Sequence, residues 1–189
     1  MARKTTTIAL ISDIHGNLPA LEAVLDDIER HAVDEIWNLG DLLGYAPFPN
    51  EVIEKVQKVC AANLIGNYDR KVLDFSDKQA KWKHKKPRAK YIGFQWNHGQ
   101  LTKDNRAALD SLPEQIRREI NGRSALLVHG SPASIDELLN SDTPETRFQE
   151  LAEMAQADLV VCGHRFSPAQ PRWRSSWATV GRGPSARPG

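Results

Sequence analysis

Residues 7–17, which read T-I-A-L-I-S-D-I-H-G-N, limit the possible folds of this chain more than any other segment. Four consecutive apolar residues predict a short buried strand, which stops at Asp13 and His15 before a helical pattern begins. In open α/β sheets, ligands bind beyond the carboxyl ends of the strands. A carboxylate and an imidazole two residues apart can hold one divalent cation. For this segment alone, an Asp that caps the next helix beside an exposed His is the simpler interpretation.

The rest of the chain contains further apolar strands and amphipathic helices, which alternate regularly as far as the third strand. Strands are predicted near residues 35–39, 60–65, 125–128 and 159–162. Helices are predicted near residues 18–31, 51–59, 91–101, 104–112 and 143–157. Asn50 is the predicted N-cap of the helix at 51–59, and Trp37 and Trp96 are predicted core residues. The alternation predicts one α/β domain.

Five predicted strands each stop at side chains that can bind a metal, namely Asp13 with His15, Asp41, Asn67, His129 and His164. On successive strands of one sheet these side chains would converge at one rim, which predicts a dinuclear metal site with Asp41 as the bridging ligand. The ligands are carboxylate and amide oxygens and imidazoles, with no thiolate. This set favours two divalent ions of manganese, iron, zinc or nickel over a structural zinc site.

Composition excludes several classes of protein. The 189 residues are 40% hydrophobic and 26% charged, enough for one sizeable core. A formal net charge of +1 provides no general attraction to nucleic acid or to a membrane surface. No signal segment or bilayer-length apolar stretch is present in the sequence, so we expect a cytoplasmic protein without membrane contact. The basic run at residues 78–90 is interpreted as a solvated helix face, with substrate steering as the lesser alternative and nucleic-acid binding ranked last.

The ordered motifs D-x-H, G-D, G-N-x-D, V-H-G and G-H resemble those of the calcineurin-like metallophosphoesterases. The segments S-D-I-H-G-N-L-P-A-L, G-D-L-L-G-Y-A-P-F-P-N-E-V-I and L-V-H-G-S-P are similar to the small prokaryotic phosphodiesterase branch. The resemblance spans residues 8–164 and implies an α/β fold of two packed mixed β-sheets flanked by helices, a four-layer sandwich. It implies one metal held by Asp13, His15 and Asp41. It implies a second metal held by Asp41, Asn67, His129 and His164.

The resemblance also implies a metal-dependent phosphoesterase whose substrate is a phosphodiester or a nucleotide. Two cations lower the pKa of a water molecule, so that hydroxide is available to attack the phosphorus atom. Asn67, Tyr68 and Asp69 form the predicted catalytic motif, in which many family members have His at the position of Tyr68. A phenol is a weaker acid, which predicts esters with good leaving groups; simple packing of Tyr68 over the site is the alternative. Asn17, where the first helix begins, is a predicted substrate-binding residue.

The family pattern G-H-x-H is interrupted, because the chain reads Gly163-His164-Arg165-Phe166. The final imidazole ligand is therefore missing. Arg165 cannot bind a cation but is predicted to hold a phosphate beside the weakened metal position. The competing hypothesis is a catalytically impaired protein that binds a metal and a phosphorylated ligand without hydrolysing it.

Residues 165–189 contain no acidic residue and many Arg, Pro, Ser and Gly residues. We therefore predict a metallophosphoesterase domain at residues 1–164 and an atypical tail at 165–189, out of frame with the family or replacing its closing strands. The second sheet would then lack carboxyl-terminal strands. Its open edge would be covered by the tail or by a second copy of the chain in a homo-oligomer.

Overall fold

The computed structural model describes residues 5–164 and contains two three-stranded sheets with helices on their outer faces. The strands are β1 Ile8–Ile11, β2 Glu35–Asn38, β3 Ala62–Asn63, β4 Gln115–Ile120, β5 Arg123–Val128 and β6 Leu159–Cys162. The helices are α1 Leu18–Ile28, α2 Pro49–Val59, α3 Asn67–Leu73, α4 Phe75–Lys85, α5 Arg88–Gln100, α6 Lys103–Asp110 and α7 Glu145–Ala155. The predicted fold class is confirmed. The predicted tail, including Arg165 and Phe166, lies outside the described residues.

The first sheet is parallel and has the order β1-β2-β3. Ile11 pairs with Asn38, and Asn38 pairs with Asn63, so the carboxyl ends of the three strands lie side by side. Each strand connects to a helix on the same outer face, as parallel pairing requires. The loops after β1, β2 and β3 therefore meet at one rim of the molecule.

The second sheet is mixed and has the order β4-β5-β6. β4 and β5 form an antiparallel hairpin, while β6 is parallel to β5. The hairpin turns at Asn121 and Gly122, which both have positive φ, as a tight two-residue turn requires. The sequence pattern does not predict β4, because its segment Q-I-R-R-E-I is charged and largely exposed.

The two sheets bury a common apolar layer. Trp37, Leu39 and Leu64 from the first sheet and its strand ends pack with Ala125 and Leu127 of β5. A second core lies between the first sheet and helices α1 to α6, and α7 covers the outer face of β5. The order of layers is therefore helices, sheet, sheet, helix.

The two tryptophans predicted to be core residues differ in exposure. Trp37 is 3% exposed, which confirms it as core, whereas Trp96 is 49% exposed and the core prediction for it is wrong. The N-cap prediction for Asn50 is also wrong, because α2 begins at Pro49. The Asn50 side chain instead bonds to Gln100 O and accepts from the N–H of Thr102.

Among residues 5–164, no helix combines the length and the apolar character needed to cross a membrane.

Candidate metal centre

The loops that follow β1 and β2 run side by side beyond the ends of their strands. The N–H of Asp13 donates to Gly40 O, and the N–H of His15 donates to Asp41 O, both at 3.0 Å. The parallel ladder therefore continues past the sheet and carries the side chains of Asp13, His15 and Asp41 to the same rim. On the second sheet, Val128 pairs with Cys162, so the following segments bring His129 and His164 to this rim.

The backbone at this rim is strained. Within residues 5–164, six residues other than glycine have positive φ, and four of them are predicted ligands: Asp13 at 57°, His15 at 54°, Asp41 at 58° and His164 at 53°. Such a conformation costs about 1 kcal/mol for a residue with a Cβ atom. The other two lie at the hairpin turn and at the end of α7, where it is common. Strain concentrated in this way is typical of functional sites.

Four side chains converge at the rim and form a candidate metal-binding group. The ligand atoms of Asp13, Asp41, His129 and His164 all lie within 4.8 Å of one another. His129 Nε2 is 3.4 Å from Asp41 Oδ2 and 3.0 Å from His164 Nδ1. Asp41 and His129 are 1% and 0% exposed. Buried carboxylates and imidazoles at this spacing are suited to a divalent cation.

The two imidazoles nearest Asp41 are oriented by backbone carbonyl groups. His129 Nδ1 lies 2.8 Å from Leu39 O, and His15 Nδ1 lies 3.0 Å from Leu43 O. If Nδ1 carries the proton, Nε2 of each ring is an acceptor. Nε2 of His15 lies 4.0 Å from Asp41 Oδ2. This arrangement is the one that metal-binding histidines adopt, because the second nitrogen is held by a hydrogen bond.

Asn67 provides a direct test of whether the residues fit a cation. Its Oδ1 is buried and has no hydrogen-bond partner among the described residues. Its Nδ2 donates to Asp136 Oδ1 at 2.6 Å, which fixes the orientation of the amide. An unpaired buried acceptor costs about 1–3 kcal/mol, and a cation would satisfy it. The residues present therefore fit a metal.

The two facing imidazoles have pKa values shifted in opposite directions. Burial lowers the pKa of His129, but the hydrogen bond and charge of Asp41 more than offset it, so the pKa is raised above its ordinary value. Burial and the charge of His129 lower the pKa of His164. Asp41 therefore stabilises the charged form of His129.

Tyr68 and Asp69 differ in what they face. The N–H of Tyr68 donates to Asp41 Oδ1 at 2.7 Å, and its ring lies 4.9 Å from the His15 ring. Burial and the charges of Asp41 and Asp13 raise the pKa of Tyr68, so its hydroxyl stays protonated at neutral pH.

Asp69 is fully buried and accepts hydrogen bonds from the N–H groups of Leu42, Leu43 and Gly66. Burial and the charge of Asp41 raise the pKa of Asp69, while these three bonds oppose the rise. The geometry favours a positioning role for Asp69 beneath the loop that carries Asp41. Its catalytic role stays a prediction.

Asn17 Oδ1 accepts from the N–H of Ala20 and caps α1, so its substrate contact stays a prediction. Arg165 lies outside the described residues. Sequence reasoning missed Asp136, which holds Asn67, and Ser12, whose Oγ donates to Asp13 Oδ2 at 2.7 Å. Ser12 directly precedes Asp13, which is a signal that could have been used, whereas no local pattern marks Asp136.

A four-layer α/β fold with carboxylate, amide and imidazole side chains at one rim is the arrangement that the sequence resemblance implied for a metallophosphoesterase. The sequence matches the calcineurin-like phosphoesterase superfamily domain over residues 7–178, and the chain belongs to this superfamily.

Individual relatives agree with this assignment. The chain is 35% identical over 168 residues to the uncharacterized protein MJ0912 of Methanocaldococcus jannaschii, covering 85% of this chain and 63% of that protein. A crystal structure of a metallophosphoesterase from Sphaerobacter thermophilus has a TM-score of 0.66 and 30% identity, with 85% of this chain and 61% of that chain covered. The chain thus spans less than two thirds of the length of these two relatives.

A shorter similarity concerns the symmetrical bis(5'-nucleosyl)-tetraphosphatase of Erwinia tasmaniensis. It is 34% identical over 67 residues, which is 34% of this chain and 24% of that protein.

Proposed function

We propose that this chain is a metal-dependent phosphoesterase that hydrolyses phosphodiesters or nucleotides at a site for two divalent cations. The observation that carries the proposal is the convergence of Asp13, Asp41, His129 and His164 within 4.8 Å of one another. Membership of the phosphoesterase superfamily supports the reaction class. The unpaired Oδ1 of Asn67 supports a further ligand at the same rim.

The ligands would divide into two sets that share Asp41. His15 and Asp13 would form one set with it, and His15 Nε2 lies 3.8 Å from Asp13 Oδ1. His129, His164 and Asn67 would complete the other set. When bound, divalent cations in such a pair lower the pKa of a coordinated water and neutralise the oxygens of the phosphoryl group.

The protein side chains would orient the substrate and supply a proton near the leaving group. Asn67 can offer its oxygen to a cation while its Nδ2 remains bonded to Asp136. Tyr68 keeps its hydroxyl proton at neutral pH and can donate a hydrogen bond to the leaving oxygen. Because a phenol is a weak acid, esters with good leaving groups should react fastest.

A nucleotide is the more specific substrate class within this proposal. The relative from Erwinia tasmaniensis is named for hydrolysis of a dinucleoside tetraphosphate, and its similarity covers 34% of this chain.

The direct test is hydrolysis of bis(p-nitrophenyl) phosphate by metal-stripped protein after addition of manganese, nickel, zinc or magnesium. Asp41→Asn should lower metal-dependent turnover by at least about 100-fold, because it weakens the ligand shared by both cations. Asp26→Asn, which changes an exposed carboxylate on α1, is the matched control and should leave the rate unchanged.

Turnover that needs no metal, or that survives Asp41→Asn, would contradict the proposal. Stoichiometric metal binding without turnover of any phosphate ester would instead support the catalytically impaired binding protein.

A further inference from the structure

Three half-buried lysines, Lys71, Lys86 and Lys90, lie against aromatic rings near the candidate metal centre. Lys86 and Lys90 belong to the basic run interpreted above as a solvated face. Lys71 Nζ and Lys90 Nζ each lie 5.4 Å from the centroid of the Tyr68 ring. Lys86 Nζ lies 4.7 Å from the centroid of Trp82 and 5.6 Å from that of Phe94. Lys86 and Lys90 are half-buried, whereas Lys83 and Lys85 are exposed.

The aromatic rings that these lysines contact lie next to His15, one of the predicted ligands. Tyr45 and Tyr68 have ring centroids 5.0 Å and 4.9 Å from that of His15. Their hydroxyl oxygens are 2.8 Å apart, and the Phe94 ring lies 5.1 Å from Tyr68. The ammonium groups are therefore one or two rings away from the candidate metal centre.

Positive charge in this cluster is only partly compensated. Lys71 pairs with Asp136 at 2.7 Å, and that carboxylate also accepts from Asn67. Within residues 5–164, Lys86 and Lys90 form no ion pair with a carboxylate. Burial and the charges of Lys71 and Lys90 lower the pKa of Lys86, and the charge of Asp136 opposes this shift. An anion at this position would relieve the repulsion.

We infer that Lys71, Lys86 and Lys90, together with the hydroxyl groups of Tyr45 and Tyr68, form a subsite for a second phosphoryl group of the substrate. The inference rests on the proposed function, in which the reacting phosphoryl group lies at the metal centre. The metal cations would neutralise the reacting phosphoryl group at the centre. The lysine ammonium groups, one or two rings away, would then be available to bind another anionic group of the same molecule. The preferred substrates are therefore phosphate esters that carry a further phosphate, such as nucleoside polyphosphates.

The compact arrangement distinguishes this subsite from a surface for nucleic acid. Lys71 and Lys90 lie against Tyr68, and Lys86 lies against the adjoining rings of Trp82 and Phe94. A nucleic-acid surface would also use the exposed lysines of α4. Lys83 and Lys85 on that helix have no hydrogen bond or ion pair within residues 5–164, so they provide a matched control with the same change of charge.

The first experiment measures binding of inorganic tripolyphosphate to metal-stripped protein by calorimetry, which does not depend on turnover. The double variant Lys86→Gln with Lys90→Gln should weaken binding about tenfold, because two charge contacts are lost. The double variant Lys83→Gln with Lys85→Gln should change it about twofold or less. If the two double variants bind tripolyphosphate with the same affinity, the subsite is overturned.

The second experiment uses metal-loaded protein and the p-nitrophenyl ester of thymidine 5'-phosphate, with and without a second phosphate on the 3' oxygen. The second phosphate should lower KM about tenfold in the unsubstituted protein. This advantage should disappear in the Lys86 and Lys90 double variant and persist in the control. Absence of hydrolysis in all proteins would overturn the proposed function, while tripolyphosphate binding would still decide the subsite.

Discussion

Asp136 holds the amide of Asn67 in place. It accepts from Asn67 Nδ2 at 2.6 Å and pairs with Lys71 Nζ at 2.7 Å. Burial raises the pKa of Asp136, but the bonds from Lys71 and Asn67 more than offset this, so its pKa is lowered and the carboxylate stays charged. The Asn67 oxygen is consequently left as the atom that can face a cation. Asp136 is a positioning residue rather than a ligand.

Replacing Asp136 by Ala should weaken manganese binding roughly 10- to 100-fold, because the Asn67 amide would lose the bond that fixes its orientation. The affinity would be measured by calorimetric titration of the metal-stripped protein. Asp142→Ala, an exposed change in the same loop, is the control. An unchanged affinity in Asp136→Ala would show that Asn67 needs no such support.

Gly66 joins β3 to α3 at the point of closest approach to Asp41. A Cβ atom at Gly66 would collide with the backbone N and the carboxylate Oδ1 of Asp41. Neither atom can move freely, because the carboxylate is also bonded to the N–H of Tyr68. The absence of a side chain here therefore allows the loop of Asp41 and the start of α3 to touch.

We expect Gly66→Ala to lower the free energy of unfolding by about 1–3 kcal/mol and to weaken metal binding, since the collision displaces Asp41. Gly99→Ala is the matched control in α5, where a Cβ atom meets nothing within 4 Å. That variant should raise stability by roughly 0.5 kcal/mol, because alanine favours the helix. Denaturant unfolding would measure both. Equal stability of the two variants would contradict this packing argument.

The loop between β5 and α7, residues 129–144, is stabilised by Glu137. Ser131 Oγ donates to this carboxylate, and Arg147 donates through Nε at 2.7 Å and through a second nitrogen at 3.0 Å. The bonds from Arg147 and Ser131 lower the pKa of Glu137 below its ordinary value of 4.5. Its contribution to stability is therefore complete above pH 4.5 and is lost as the pH falls through the lower folded-state pKa.

Glu137→Gln should accordingly lower the free energy of unfolding by about 1 kcal/mol at pH 7, where a charged hydrogen-bonded acceptor is lost. The difference from the unsubstituted protein should shrink as the pH is lowered below 4.5, because the native carboxyl group then becomes protonated. Denaturant unfolding at several pH values measures both effects. A difference that is the same at every pH would show that charge plays no part.

The candidate metal centre links the two sheets. Asp13 and Asp41 follow strands of the first sheet, and His129 and His164 follow strands of the second. Without a cation, their contact depends on hydrogen bonds such as that from the N–H of His164 to Asp13 Oδ2 at 3.1 Å. A bound cation would tie the sheets together and stabilise the folded state.

Manganese at a free concentration 100 times its dissociation constant should raise the free energy of unfolding by about 2.7 kcal/mol. The thermal midpoint should rise with it, and a chelator should reverse the rise. Asp41→Asn should remove most of the effect, whereas Asp26→Asn should not. A thermal midpoint insensitive to metal would contradict a site formed by both sheets.

The sequence predicts those parts of the fold whose cause is local. β1 is recognisable because four apolar residues precede Asp13 and His15, and the same logic locates the ends of β2, β5 and β6. The apolar pattern does not predict β4, because one face of this strand is solvated and its segment is charged. The Asn50 prediction fails because its side chain bonds to residues about 50 positions away, which no local pattern shows.

The sequence by itself determined the positions of β1, β2, β5 and β6 and the candidate ligands that follow them, because a strand and the residue that ends it are adjacent in the chain. The convergence of those ligands depended on the parallel register of three strands and on the packing of two sheets. Only the tertiary structure decided that Asp136 holds Asn67, 69 residues away, and that Lys86 lies against Phe94 and Lys90 against Tyr68. Such contacts arise from packing between elements that are distant in the chain, so the local pattern of apolar and polar residues does not predict them.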